Sequence, residues 1–239
     1  MNTTLIAVVA RREIEEICTD WRMLIPMLVL TFGVPLLMVL AVLATLSYLP
    51  SAELANWLIP LSVLLCGFLP IGLSLVNASE SFVGERERNT LESLLSVPVS
   101  DGEIYFGKLA AALILPACQA GLAITTFAGT FILFAPAPIT GYLTIGLVGT
   151  IIGLAGLKTL VMVALTTVIS IHSTTVRAAN LLASFVLVPL GGLVHFESML
   201  LTAQRGEGLL YLAALLASAA AVLMYAGLAT FNREAVLAR

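Results

Sequence analysis

The chain has 239 residues, 60% of them hydrophobic and only 10% charged, with a mean hydropathy of +1.08. That composition excludes a soluble globular domain and predicts an all-α, polytopic membrane protein. The formal net charge of −3 decides little, because in such a protein the position of each charge matters more than the sum, and no nucleic-acid partner is expected. Cys18, Cys66 and Cys118 are odd in number and scattered without metal-type spacing, which argues against a disulfide framework and against a metal site.

Residues 1–22 place Ile6, Ala10, Ile14, Ile17, Cys18 and Trp21 on one side of a helix. Arg11, Arg12, Glu15, Glu16, Thr19 and Arg22 fall largely on the other side, so an interfacial amphipathic helix is expected. The acidic residues Glu13, Glu15 and Glu16 are unlike a cleavable signal peptide. Residues 23–48 form the first predicted span, bent by Pro26, Gly33 and Pro35, and residues 57–79 form the second, interrupted by Pro60, Gly67 and Pro70.

Between the second span and the third lies the one long polar interruption, residues 80–103. Asn89 and Glu92 have the spacing of a capping box, which starts a short helix from about Thr90 to Ser96 that Pro98 ends. Leu91, Leu94 and Leu95 share one face of that helix, a stripe too small to fold without something to dock into. Ser100 and Glu103 form a second capping box, which opens the third span.

The third span, 104–134, and the fourth, 142–170, both exceed the minimum of about 20 residues for a crossing, so they must tilt or project. Pro136 and Pro138 in APAPITG enforce the reversal between them. The fifth span, 178–196, meets Pro189, Gly191 and Gly192. Two readings stay open there: one straight helix to Phe196, or short re-entrant segments in the outer leaflet. Residues 208–231 complete six transmembrane helices in a single domain spanning 1–239. With a cytoplasmic N-terminus, nine of the eleven lysines and arginines lie inside, which puts both termini and the 80–103 loop in the cytoplasm.

Gly102–Lys108, GEIYFGK, imitates a phosphate-binding loop, but Leu109 stands where Ser or Thr would hold magnesium, and no strand precedes it. Any ATP would therefore be handled by another chain. His172 and His195 fall on opposite sides of the membrane and cannot share a site.

The stretch ERERNTLESLLSVPVSDGEIYFGK resembles the segment between the second and third membrane helices of ABC-2 type transporter permeases. There a pattern E, R or K, x, x, G or N, T, L, E, x, L, L, x, x, P precedes a GK. In that family the short helix is a coupling helix seated in a groove of a separate ATPase subunit. The resemblance implies that Leu91, Leu94 and Leu95 enter that groove, with Glu85, Arg86, Glu87, Arg88 and Glu92 at its polar rim. It also implies a permease that is not itself an enzyme, with no cofactor in this chain and with ATP and magnesium held by the partner ATPase. Further partners are a second permease subunit and the lipid bilayer, in the cell (plasma or inner) membrane, and the direction implied is export. Asn89 departs from the commoner glycine, and both residues suit a helix start.

Lys158 is the charge read inside a span, where an ionised lysine costs about 3 kcal/mol without compensation. Gly146, Gly149, Gly153 and Gly156 form a smooth seam suited to close helix packing, and Lys158 points roughly opposite to it. Lys158 would therefore face lipid, a dimer partner or a cavity, and two readings stay open: a hydrated cavity at a dimer interface on the translocation pathway, or snorkelling of the ammonium to the inner-leaflet headgroups. The alternative function is an ion-gradient-driven secondary transporter. It would need acidic coupling residues within the spans; the span boundaries above contain none, although Asn77, Gln119 and Lys158 keep it open.

Overall fold

A computed structural model describes residues 3–87 and 100–231. Helix α1, Thr3–Thr19, is followed by Asp20, whose carboxylate accepts the backbone N–H of Arg22 at 2.9 Å and so caps α2, Trp21–Leu28. A π-helical turn, Val29–Gly33, joins α2 to α3, Val34–Tyr48. These pieces make one continuous apolar crossing of 28 residues. The bend expected at Gly33 and Pro35 takes the form of this π turn, which admits one extra residue into the ladder just before a proline that cannot donate to it.

The second predicted span is two helices, α4, Ala52–Phe68, and α5, Ile71–Glu87, with a break at Leu69 and Pro70. Pro60, by contrast, stays inside α4. It leaves the carbonyl of Asn56 without its helical donor; the Thr202 hydroxyl comes within 3.4 Å of that carbonyl but lies closer, at 2.8 Å, to the Ser198 carbonyl of its own helix. Gly67 lets α4 lie close to its neighbours, since a Cβ there would come within 2.8 Å of Ile124 Cδ1 and 3.3 Å of the Ala155 Cβ.

Beyond the polar interruption come α6, Asp101–Phe134, and a single turn α7, Ala137–Thr140, at the APAPITG reversal. Then follow α8, Ile145–His172, α9, Val176–Thr202, and α10, Gly206–Thr230. Helix α9 runs unbroken through Pro189 and past Phe196, so the straight-helix reading is the one realised and re-entrant segments are not formed. The chain turns at Gln204, which takes a positive φ of 53°, and enters α10 directly. Five helices among the described residues are long and apolar enough to cross a membrane, and α4 is a shorter apolar helix beside them.

Helices α6 and α8 form the centre of the bundle. Helix α6 packs against α1, α3, α4, α5 and α8, and α8 against α4, α5, α9 and α10. Towards one end, Val42, Ile59, Leu64, Ile124, Phe127, Phe131 and Ile151 make the largest apolar core. Towards the other, Ile104, Tyr105, Leu109, Val163 and Ile171 make a smaller one next to the polar interruption. Leu37 and Leu40 on α3, Phe185 and Val188 on α9, and Leu215 and Val222 on α10 are exposed, as residues that face lipid should be.

Candidate functional site

The expected coupling helix and its residues Arg88, Leu91, Glu92, Leu94 and Leu95 lie outside the described residues, as do the side chains of Glu85 and Arg86. What the structure describes are the two helices that enter and leave that segment, α5 and α6.

Helix α5 is stitched to α8 and α9 by polar contacts. The Ser170 hydroxyl of α8 donates to the Ser79 carbonyl at 2.7 Å and accepts the Val83 N–H at 3.2 Å. Ser79 and Val83 are four apart, so one hydroxyl satisfies both ends of a rung of the α5 ladder. The Ser79 hydroxyl in turn donates to the Asn180 side-chain oxygen on α9. At the last residue of α5, Glu87 accepts the backbone N–H of Val176 at 2.9 Å. That N–H is among the donors a helix start leaves without an internal acceptor, and the carboxylate also meets the positive end of the α9 dipole. Glu87, expected at the rim of an ATPase groove, is thus engaged with its own chain.

Helix α6 begins with the capping box read from the sequence. The Glu103 N–H donates to Ser100 Oγ at 3.4 Å and the Ser100 N–H donates to Glu103 Oε2 at 3.0 Å. Gly102–Lys108 is therefore helical from its first turn and forms no phosphate cradle. Two turns in, α1 lies against it. A Cβ at Gly107 would come within 2.8 Å of Val9 Cβ and Cγ1, and Lys108 Nζ donates to Glu13 Oε1 at 2.8 Å with its side chain only 1% exposed. On the apolar side of α1, Ala10 is buried against the protein while Cys18 stays exposed, as does Trp21 just beyond the helix.

Lys158 has a partner that the span boundaries hid. Its ammonium donates to Glu197 Oε2 at 2.6 Å, and the two side chains are 1% and 0% exposed. Helix α8 runs antiparallel to α9, and side chains lean towards the N-terminus of their own helix. Lys158 therefore leans towards the Ile145 end and Glu197 leans back from the Thr202 end, so the two converge. The compensation expected from a cavity or a dimer partner is supplied within the chain. The glycine seam is inverted as well: Lys158 does lie opposite to it, but a Cβ at Gly146, Gly149, Gly153 or Gly156 would meet open space. The seam faces outward, beside an apolar cavity of about 630 Å³ lined by Gly153, Leu157, Gly206 and Leu210, and the lysine faces the interior. Glu197 Oε1 and the neighbouring Ser198 hydroxyl are buried without a hydrogen-bond partner among the described residues.

Sequence reasoning passed over Ser79, Ser170 and Asn180, whose only signal is that they are small polar residues within apolar helices. It read Glu197 as part of a polar connection, because the fifth span was ended at Phe196.

The fold and these contacts define a multi-pass helical membrane protein in which a polar segment is rooted on two of the bundle's helices. Residues 7–204 match the ABC-2 family transporter protein family, and the chain belongs to that family. It is an ABC transporter permease, and the family implies association with an ABC ATPase. No curated protein matches the chain.

Proposed function

We propose that this permease works as an exporter, driven by ATP hydrolysis on a separate ATPase that docks on residues 88–99. Leu91, Leu94 and Leu95 enter the ATPase groove, with Glu85, Arg86, Arg88 and Glu92 around them. Both termini and the docking segment lie in the cytoplasm, six crossings are made, and two permease subunits complete the transporter. The observation that carries the reading is the anchoring of the segment's two roots: α5 is tied to α8 and α9 through Ser79, Ser170 and Glu87, and α6 is tied to α1 through Lys108. A displacement of the segment is therefore delivered to three other helices, α1, α8 and α9.

The test is purification of the tagged permease from its native membranes. A copurifying ATPase whose turnover it stimulates is the expected result, with loss of both in Leu94→Asp/Leu95→Asp. Stimulation unchanged in that double variant would refute the docking assignment. Cysteines placed at Ala137 and Asn89, after removal of the native ones, test the topology: an impermeant thiol reagent added outside should label the first and spare the second.

One observation favours an ion-gradient drive. Glu197 is an acidic residue buried inside a crossing helix, the feature that reading lacked at the sequence level. Transport sustained by an ion gradient in vesicles depleted of ATP would select it.

A further inference from the structure

The GK at 107–108 is a feature that ATPase docking does not use. We infer that Gly107 and Lys108 are positioning residues that make α1 move with the coupling segment, an inference that rests on the ATPase-docking reading above.

Three observations converge on it. The capping box at Ser100 and Glu103 fixes the start of α6 at the point where the chain leaves the coupling segment, so a displacement there enters a preformed helix with little slack. Within the next two turns Gly107 brings the backbone of α6 close enough for Val9 to occupy the place of a side chain, with Ile6 O at 3.3 Å from a Cβ there. One residue on, Lys108 reaches Glu13 at 2.8 Å from a site with 1% side-chain exposure. Val9 and Glu13 are one turn apart on α1, so the steric notch and the ion pair grip the same face and resist both sliding and rotation. Past α1 the chain goes straight into the first crossing through the Asp20 cap, so the grip at Gly107 and Lys108 links the coupling segment to the first span without passing through the bundle core.

The test uses the permease with its copurified ATPase in lipid vesicles, spin-labelled at Cys18 and at a cysteine replacing Ala203, with Cys66 and Cys118 replaced. Both labelled positions are exposed, one at the end of α1 and the other at the far end of α9. A nucleotide-driven change in the distance between them is expected in the parent and in Lys108→Arg, which keeps the cation. It should be lost in Lys108→Met and in Gly107→Ala, and regained in Gly107→Ala with Val9→Gly, which restores the notch. These variants are judged only after the ATPase is seen to copurify with each. Persistence of the distance change in both Lys108→Met and Gly107→Ala overturns the inference and leaves the docking reading standing. Absence of any copurifying ATPase with the parent overturns both.

Discussion

Lys108 and Lys158 are buried alike, each with a side chain 1% exposed and each donating to a glutamate, at 2.8 and 2.6 Å, yet the two pairs sit in different surroundings. Glu13, the partner of Lys108, keeps 25% of its side chain exposed at the edge of the bundle, whereas Glu197, the partner of Lys158, keeps none. The first pair joins a peripheral helix to the core and can be rehydrated when broken. The second joins two crossing helices in the interior, where both side chains are shielded from solvent. A buried ion pair is poor evidence of net stability, because apolar residues of similar volume often do as well. The interior pair therefore marks a place where the chain keeps charge for a reason other than packing strength.

The comparison breaks most readily at Lys158. Lys158→Met leaves Glu197 alone in the interior and should cost about 3–5 kcal/mol, seen as a lowered thermal midpoint in mild detergent. Lys158→Met with Glu197→Leu should recover most of that loss. A single variant as stable as the parent would show that Glu197 finds water, and the contrast with Lys108 would vanish. Lys108→Met should cost only about 1–2 kcal/mol by the same measurement, because Glu13 can turn outward. A cost equal to that of Lys158→Met would mean that solvent access does not separate the pairs.

Smaller effects sharpen the picture. Ser170→Ala removes the hydroxyl shared by Ser79 and Val83, and the loss should be about 1 kcal/mol, because the backbone groups of α5 can close on each other again. No change at all would mean that water replaces the hydroxyl and that α5 is not held there. Gly149→Ala should stabilise the detergent-solubilised subunit by about 0.5–1 kcal/mol, through helix propensity at a site with open space. Destabilisation would show that something packs against the seam.

Much of this was legible in the sequence because it depends on neighbours along the chain. The capping box at Ser100 and Glu103, the N-terminal helix, the APAPITG reversal and five of the six apolar crossings are local patterns that the structure has. The misreadings concern partners distant in sequence. Lys158 and Glu197 are 39 residues apart, and their meeting depends on how α8 and α9 pack, which no periodicity reports. Prolines were ambiguous as well: Pro60 stays inside α4, while the chain breaks at Pro70. The glycine pattern promised a packed seam but could not say that, among the described residues, nothing lies against it. At Gly107 the closeness of α1 was invisible until α1 was in place.

The break between α4 and α5 has a mechanical consequence. Pro70 carries no N–H, so the backbone ladder does not run continuously from one helix to the other, and bending there sacrifices no helical hydrogen bond at that residue. Helix α4 is wedged against Ile124 at Gly67 and takes its contacts from α3, α6, α8 and α9, with little from α5. The second predicted span is thus jointed at Leu69–Pro70, with α4 held by α3, α6, α8 and α9 and α5 held by α6, α8 and α9, so a push applied near Glu87 passes sideways into the neighbours of α5 and is not carried along an unbroken ladder into α4.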